Sequence, residues 1–165
     1  MGALPAGVSL RLTTWQRDRV LLERVRRAVF VEEQGIPEQE EWDDHDLRCW
    51  HLLALDANRD AVGTGRLDPT GRLGRVAVLP QCRGTGIGAA IVSELVALAR
   101  RQGLEEVHLN AQTDALGFYE RLGFQAEGPE FDEVGIPHRR MRQRFRKADE
   151  QQVGRDGHTE HPVEP

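Results

Sequence analysis

Apolar residues recur along this chain at spacings that switch between two and three-to-four. Val8, Leu10 and Leu12 alternate with polar partners, as in a half-buried strand. Thr13 or Thr14 can cap a helix whose apolar face carries Leu21, Leu22, Val25 and Val29, with Arg24, Arg26 and Arg27 expected outside. Phe30 to Gly35 ends it, and Ile36-Pro37 forces an extended segment. Trp50 to Leu55 and Ala61 to Leu67 predict a hairpin around residues 57–60. Gly71 turns the chain into a further apolar strand, Leu73 to Val78. A helix burying Ile87, Ile91, Leu95 and Leu98 then runs to about Arg101, and Gly103 stops it. Val107 to Asn110 reads as a strand. Thr113 or Asp114 caps a short helix with Ala115, Phe118, Tyr119 and Leu122 on one face, and Gly123 ends it. Strands from Phe124 to Gly128 and from His138 to about Phe145 finish the pattern.

Between the Leu73–Val78 strand and the long helix stands Arg83-Gly84-Thr85-Gly86-Ile87-Gly88. Three glycines in six residues let backbone amides approach a ligand unobstructed, and the helix N-terminus adds the positive end of its dipole. The arrangement suits a phosphate or pyrophosphate, although a glycine triplet also serves as a plain strand-to-helix turn. A P-loop would need Lys and then Ser or Thr after its last glycine, and Ala89-Ala90 stands there. A dinucleotide fold would want GxGxxG in an early βαβ unit, whereas the spacing here is GxGxG in mid-chain.

VAVLPQCRGTGIG (76–88) and ALGFYERLGF (115–124), in this order and separation, resemble the Gcn5-related N-acetyltransferases. The resemblance covers roughly residues 10–144, with the specific motifs within about 73–128. FVEEQGIPEQEEWD, HLLAL and FDEVGIPHRRM further resemble a bacterial subgroup typified by the ElaA and YjcF proteins. The family likeness implies one α/β domain with a mixed, mostly antiparallel central sheet flanked by helices. It implies acetyl-CoA as donor and a primary amine, of a small molecule or a peptide, as acceptor, with direct attack in a ternary complex. The pyrophosphate would rest on the amides of Arg83, Gly84, Thr85, Gly86, Ile87 and Gly88, and the pantetheine arm would pair with the backbone of Val76, Ala77 and Val78. The same strand would supply an amide to the oxyanion. Tyr119 matches the tyrosine that protonates the leaving thiolate, since a phenol stays protonated at neutral pH. Gln112 stands where the family often has asparagine, one methylene longer for the same kind of amide contact.

The base that takes the acceptor's proton is open. Glu33 follows the first helix, a region that lines the acceptor site in the family, and His138 follows the Gly135-Ile136-Pro137 turn. His51, within a strand, reads as structural. A non-catalytic acyl-CoA-binding sensor is the alternative from another class, though a tyrosine and two candidate bases speak against a dead site.

Composition narrows the rest. The chain has 165 residues and a net charge of −5, which argues against a nucleic-acid footprint. The five arginines among residues 139–146 read first as a solvated strand face, with a phosphate contact as the minority reading. The six carboxylates from Glu38 to Asp46 read as a solvated loop or as an electrostatic funnel for a cationic amine. Their spacing with His45 matches no EF-hand, and no metal is expected. Cys49 and Cys82 form no disulfide framework, and no run is long enough to span a membrane. The expectation is a cytoplasmic protein, a homodimer being one possibility for its assembly. Residues 1–7 form a disordered lead, 8–147 the acetyltransferase domain and 148–165 a disordered tail poor in aliphatics.

Overall fold

The computed structural model describes residues 4–146. The expected tail, 148–165, and the first three residues of the lead lie outside them. Residues 4–7 turn rather than trail: Val8 N donates to Pro5 O at 3.1 Å, and Gly7 abuts Ala57.

Four strands, β1 (Ser9–Thr13), β2 (Trp50–Leu55), β3 (Ala61–Leu67) and β4 (Leu73–Val78), form an antiparallel sheet in the order β1-β2-β3-β4. Helix α1 (Trp15–Arg26) lies on one face and α3 (Ile87–Arg101) on the other; α2 is the short turn of helix Glu38–Glu41. Strand β2 is buried along its whole length because alternate residues feed two cores. Trp50, Leu52 and Ala54 pack on the α3 side, and Leu53 and Leu55 on the α1 side. Helix α3 sits close on β3 at Gly63 and Gly65, where a Cβ would fall 2.9 and 2.7 Å from Ile91.

The remaining strands, β5 (Glu106–Gln112), β6 (Gln125–Glu133) and β7 (Ile136–Arg144), form an antiparallel sheet in the order β5-β7-β6. Helix α4 (Leu116–Arg121) links β5 to β6. The two sheets meet at one point, a parallel bridge between Arg72 and His108, with His108 N donating to Gly71 O at 3.0 Å. Gly71 has φ 94°, and any Cβ there would lie 2.5 Å from Glu106 O, so glycine is needed for the contact. Beyond this junction β4 and β5 carry no further ladder between them, and the cleft they leave holds the site.

Several local expectations change. Thr14, not Thr13, caps α1 by accepting from Arg17 N, while Thr13 donates to Asp18. The α-helix stops at Arg26 and widens into a π-helical turn, Arg27–Glu33. Leu12 is exposed despite the alternation, since β1 is an edge strand. No side chain caps α4; residues Thr113–Ala115 form a 3-10 turn ahead of it. Strands β6 and β7 extend toward each other as a longer hairpin than the apolar pattern marked.

Arg26 is the largest correction, because it points inward at 1% exposure. It lies four residues after Leu22, on the same helical stripe, and its guanidinium stands 5.2 Å from the ring centres of both Trp15 and Trp42. The acidic run supplies its counter-charges: Glu41 Oε1 at 2.8 Å and Asp46 Oδ1 at 2.7 Å. Asp46 also holds Arg66 at 2.7 Å, and Asp43 holds Arg66 at 2.9 Å and Arg75 at 3.3 Å. So Glu41, Asp43 and Asp46 are not a solvated loop; they neutralise three arginines beneath the cleft. The arginines of β7 are half-buried to exposed, as the alternation suggests. Arg140, Arg142 and Arg144 form a ladder with Glu106 and Glu127.

Candidate active site

A cavity of about 700 Å³ occupies the cleft between β4 and β5. One wall comes from β4 and the 30–45 segment, the other from β5, α4 and the β6–β7 hairpin.

Strand β4 is the last in its sheet, so its outer edge past the junction faces the cleft rather than another strand. It also carries a bulge. Two steps along β3, from Thr64 to Arg66, oppose three along β4, from Ala77 to Gly74, and Arg75 has φ 49°. A bulge leaves one residue out of the ladder and re-aims its backbone. Val76 and Val78 pack toward the α3 core, Ala77 toward the α1 core, and Val76 also lines the cavity.

The glycine loop continues from this strand through a 3-10 turn, Pro80–Cys82. Gly84 and Gly86 take φ of 76° and 90°, and Gly86 is the N-cap of the fifteen-residue helix α3. Gly88 lies against α4, where a Cβ would meet Phe118 at 3.4 Å, an ordinary contact distance. Ile87 buries its side chain in the core, and Thr85 Oγ1 donates to Cys82 O at 2.7 Å. Arg83 donates through Nε to Val78 O at 3.0 Å and through its two terminal nitrogens to Glu33.

Glu33 is therefore spoken for. The hydrogen bond from Arg83 holds its carboxyl below the usual range, and Glu33 does not line the cavity. Its neighbour Gln34 does, and its side-chain carbonyl accepts from Gln112 Nε2 at 2.9 Å across the cleft. Gln112 ends β5 directly opposite His138 of β7.

Tyr119 and His138 both line the cavity. Tyr119 is gripped edge-on by Phe118 and Phe124, with ring centres 5.0 and 5.7 Å away. Burial pushes its phenol well above the ordinary tyrosine range, so it stays protonated at neutral pH. His138 is buried, stacked on Phe131, with Nδ1 2.7 Å from Ile136 O. A carbonyl only accepts, so Nδ1 carries the hydrogen. The Glu133 carboxylate lies 3.4 Å from Nε2. His51, by contrast, is enclosed in β2, its Nε2 2.8 Å from Asp46 O.

Residues 30–145 match the family described as the acetyltransferase (GNAT) domain. The chain belongs to the GNAT acetyltransferase family. YjcF of Bacillus subtilis, described as an uncharacterized N-acetyltransferase, is 38% identical over 121 residues, 71% of this chain and 86% of YjcF. Among solved structures, an acyl-CoA N-acyltransferase from Pseudomonas aeruginosa superposes with a TM-score of 0.75 at 30% identity, covering 82% of this chain and 99% of that one. Escherichia coli ElaA follows at 0.74 and 26% identity, covering 82% and 99%. The ElaA/YjcF grouping and the GNAT fold read from the motifs thus hold.

Sequence reasoning did not single out Gln34 or the pairing of His45 with Asp68, whose Nε2 and Oδ2 stand 2.8 Å apart on the cavity wall. Both depend on segments far apart in the chain, and neither has a local motif. Among the described residues no group of three His, Cys, Asp or Glu is gathered to hold a metal, and no helix is long and apolar enough to cross a membrane.

Proposed function

We propose that this protein is an acetyl-CoA-dependent N-acetyltransferase that moves an acetyl group to a primary amine by direct attack in a ternary complex. The observation that carries this reading is one cleft joining an open, bulged β4 edge to a buried tyrosine and a His–Glu pair, with the glycine loop following on the same strand. Bound acetyl-CoA would supply the activated thioester. The backbone amides from Gly84 to Gly88, at the N-terminus of α3, hold the pyrophosphate, the Arg83 amide being donated to Pro80 O instead, and the edge of Val76 to Val78 pairs with the pantetheine arm. Gln112, opposite His138, contributes an amide contact from β5. An amide freed by the β4 bulge donates to the oxyanion.

His138 Nε2 takes a proton from the acceptor ammonium, whose pKa is near 10 and which must be neutral to attack. Glu133 stabilises the charge that His138 acquires. Tyr119 gives its proton or a hydrogen bond to the departing thiolate. Glu33, the other candidate base, holds Arg83 instead. The reaction suits the cytoplasm: both cysteines are free, and burial pushes the Cys49 thiol up to about 12.

Calorimetric titration with acetyl-CoA, with ATP as control, tests the donor site, and thiol release over a panel of amines tests transfer. Micromolar binding of acetyl-CoA with turnover is expected. Saturable binding without turnover on any amine would favour the sensor alternative, and no binding at all would remove both.

A further inference from the structure

A second histidine on the cavity wall has a tautomer dictated by its partner. His45 Nε2 stands 2.8 Å from Asp68 Oδ2. A carboxylate only accepts, so Nε2 carries the hydrogen and, in the neutral ring, Nδ1 is the acceptor nitrogen. The carboxylate itself is immobile: Asp68 is buried, and its Oδ1 accepts from Thr70 N at 2.9 Å, Thr70 Oγ1 at 2.6 Å and Arg72 N at 2.9 Å. His45 keeps 30% of its side chain accessible. The cavity wall therefore carries two imidazoles, His138 and His45, each with a carboxylate at its Nε2.

Their positions along the cleft differ. Asp68 N donates to Arg72 O at 2.9 Å, which sets the His45–Asp68 pair at the closed end, where Arg72 bridges His108. His138 faces Gln112, four residues further along β5. At about 3.3 Å per residue the two levels are about 13 Å apart. The cavity lining is negative. Arg66 and Arg75 of the wall are matched by Asp43 and Glu41, which leaves Glu40, Asp68 and Glu133 against Arg72.

We propose that His45, held by Asp68, is a binding subsite for a second, cationic nitrogen of the acceptor, so that the substrate class is a diamine whose near nitrogen reacts at His138. The proposal rests on the transferase reading. An ammonium N–H donates to His45 Nδ1 within the excess negative charge, while the other nitrogen, once neutral, reaches the thioester.

The test compares α,ω-diamines with alkylamines of matching length. For the wild type, kcat/KM for the best diamine should exceed that of its monoamine by about tenfold or more, the scale of one hydrogen bond to a charged group, expressed chiefly in KM. His45→Leu should bring the ratio near one with acetyl-CoA affinity retained. His45→Asn, which returns an acceptor oxygen near the Nδ1 position, should recover part of it. Equal kcat/KM for the two amines, or a diamine preference that survives His45→Leu, overturns the subsite and leaves the transferase reading intact. If no amine is turned over, that reading fails instead, and titration of the CoA-bound protein with the two amines reads the subsite alone. Tighter diamine binding lost in His45→Leu supports it, and indifferent binding overturns it.

Discussion

Arg83 and Glu33, fifty residues apart in the chain, meet in two parallel hydrogen bonds of 2.6 and 2.5 Å. The pair ties the glycine loop to the last residue of the π-helical turn, one residue before Gln34 enters the cavity. A carboxylate held this way is an anchor rather than a base. Glu33→Gln should therefore lower kcat by no more than about threefold, whereas His138→Gln should lower it by about 100-fold, the usual contribution of a positioned base. Steady-state kinetics of both variants decide the assignment; the reverse pattern would return the base to Glu33. An arylamine acceptor, which has no proton to lose before attack, should suffer less from His138→Gln than an alkylamine does.

Tyr119→Phe should reduce kcat about 100-fold while acetyl-CoA affinity, read by calorimetry, holds. The ring packing against Phe118 and Phe124 is retained in the variant, so a stability loss is not expected to confuse the result. Unchanged turnover would show that the thiolate leaves without this phenol.

Thr85 is exposed and sits between the two glycines of positive φ. Thr85→Glu adds a carboxylate to the loop without asking a side chain to adopt a left-handed backbone. Acetyl-CoA affinity should fall by about tenfold or more, the effect shrinking in high salt, with the melting temperature little changed. Unaltered affinity would make the loop a turn and nothing else.

The buried ion network should dominate stability. Asp46→Ala leaves Arg26 and Arg66 without a shared partner at 1% and 7% exposure, and should cost about 3–5 kcal/mol in denaturant unfolding. A loss below about 1 kcal/mol, as for a surface pair, would contradict the burial of the network.

His51 makes stability depend on pH. Burial lowers its pKa in the fold, outweighing the hydrogen bond and charge of Asp46, with Arg26 and Arg66 adding to the lowering. The unfolded chain then binds the proton more readily, so stability is full above the unfolded value of 6.5 and falls as pH drops below it. Melting temperature should decline from pH 7 toward pH 5, and His51→Asn should flatten that slope.

How much of this was legible beforehand varies with the range of the interaction. The hairpin Trp50–Leu55 and Ala61–Leu67 matched residue for residue, because the apolar run and the turn between the strands are local. The glycine loop and the start of α3 were equally plain, since a strand end, glycines and a helical stripe adjoin in sequence. The burial of Arg26 has no local signal, because a charged residue on a helix is ordinarily solvated and only two distant acids and two tryptophans make its burial tolerable.

By itself, then, the sequence determined the order of elements, the glycine loop between β4 and α3 and membership of the GNAT family, all written in short stretches. The tertiary structure alone decided what Glu33 pairs with, what each nitrogen of His138 faces, and that Glu41 and Asp46 are buried while Asp43 pairs with Arg66. It also brought His45 to Asp68. A hydrogen bond or ion pair between residues 20 to 50 positions apart leaves no periodic trace in the chain, because its partners meet only when the sheets fix their separation.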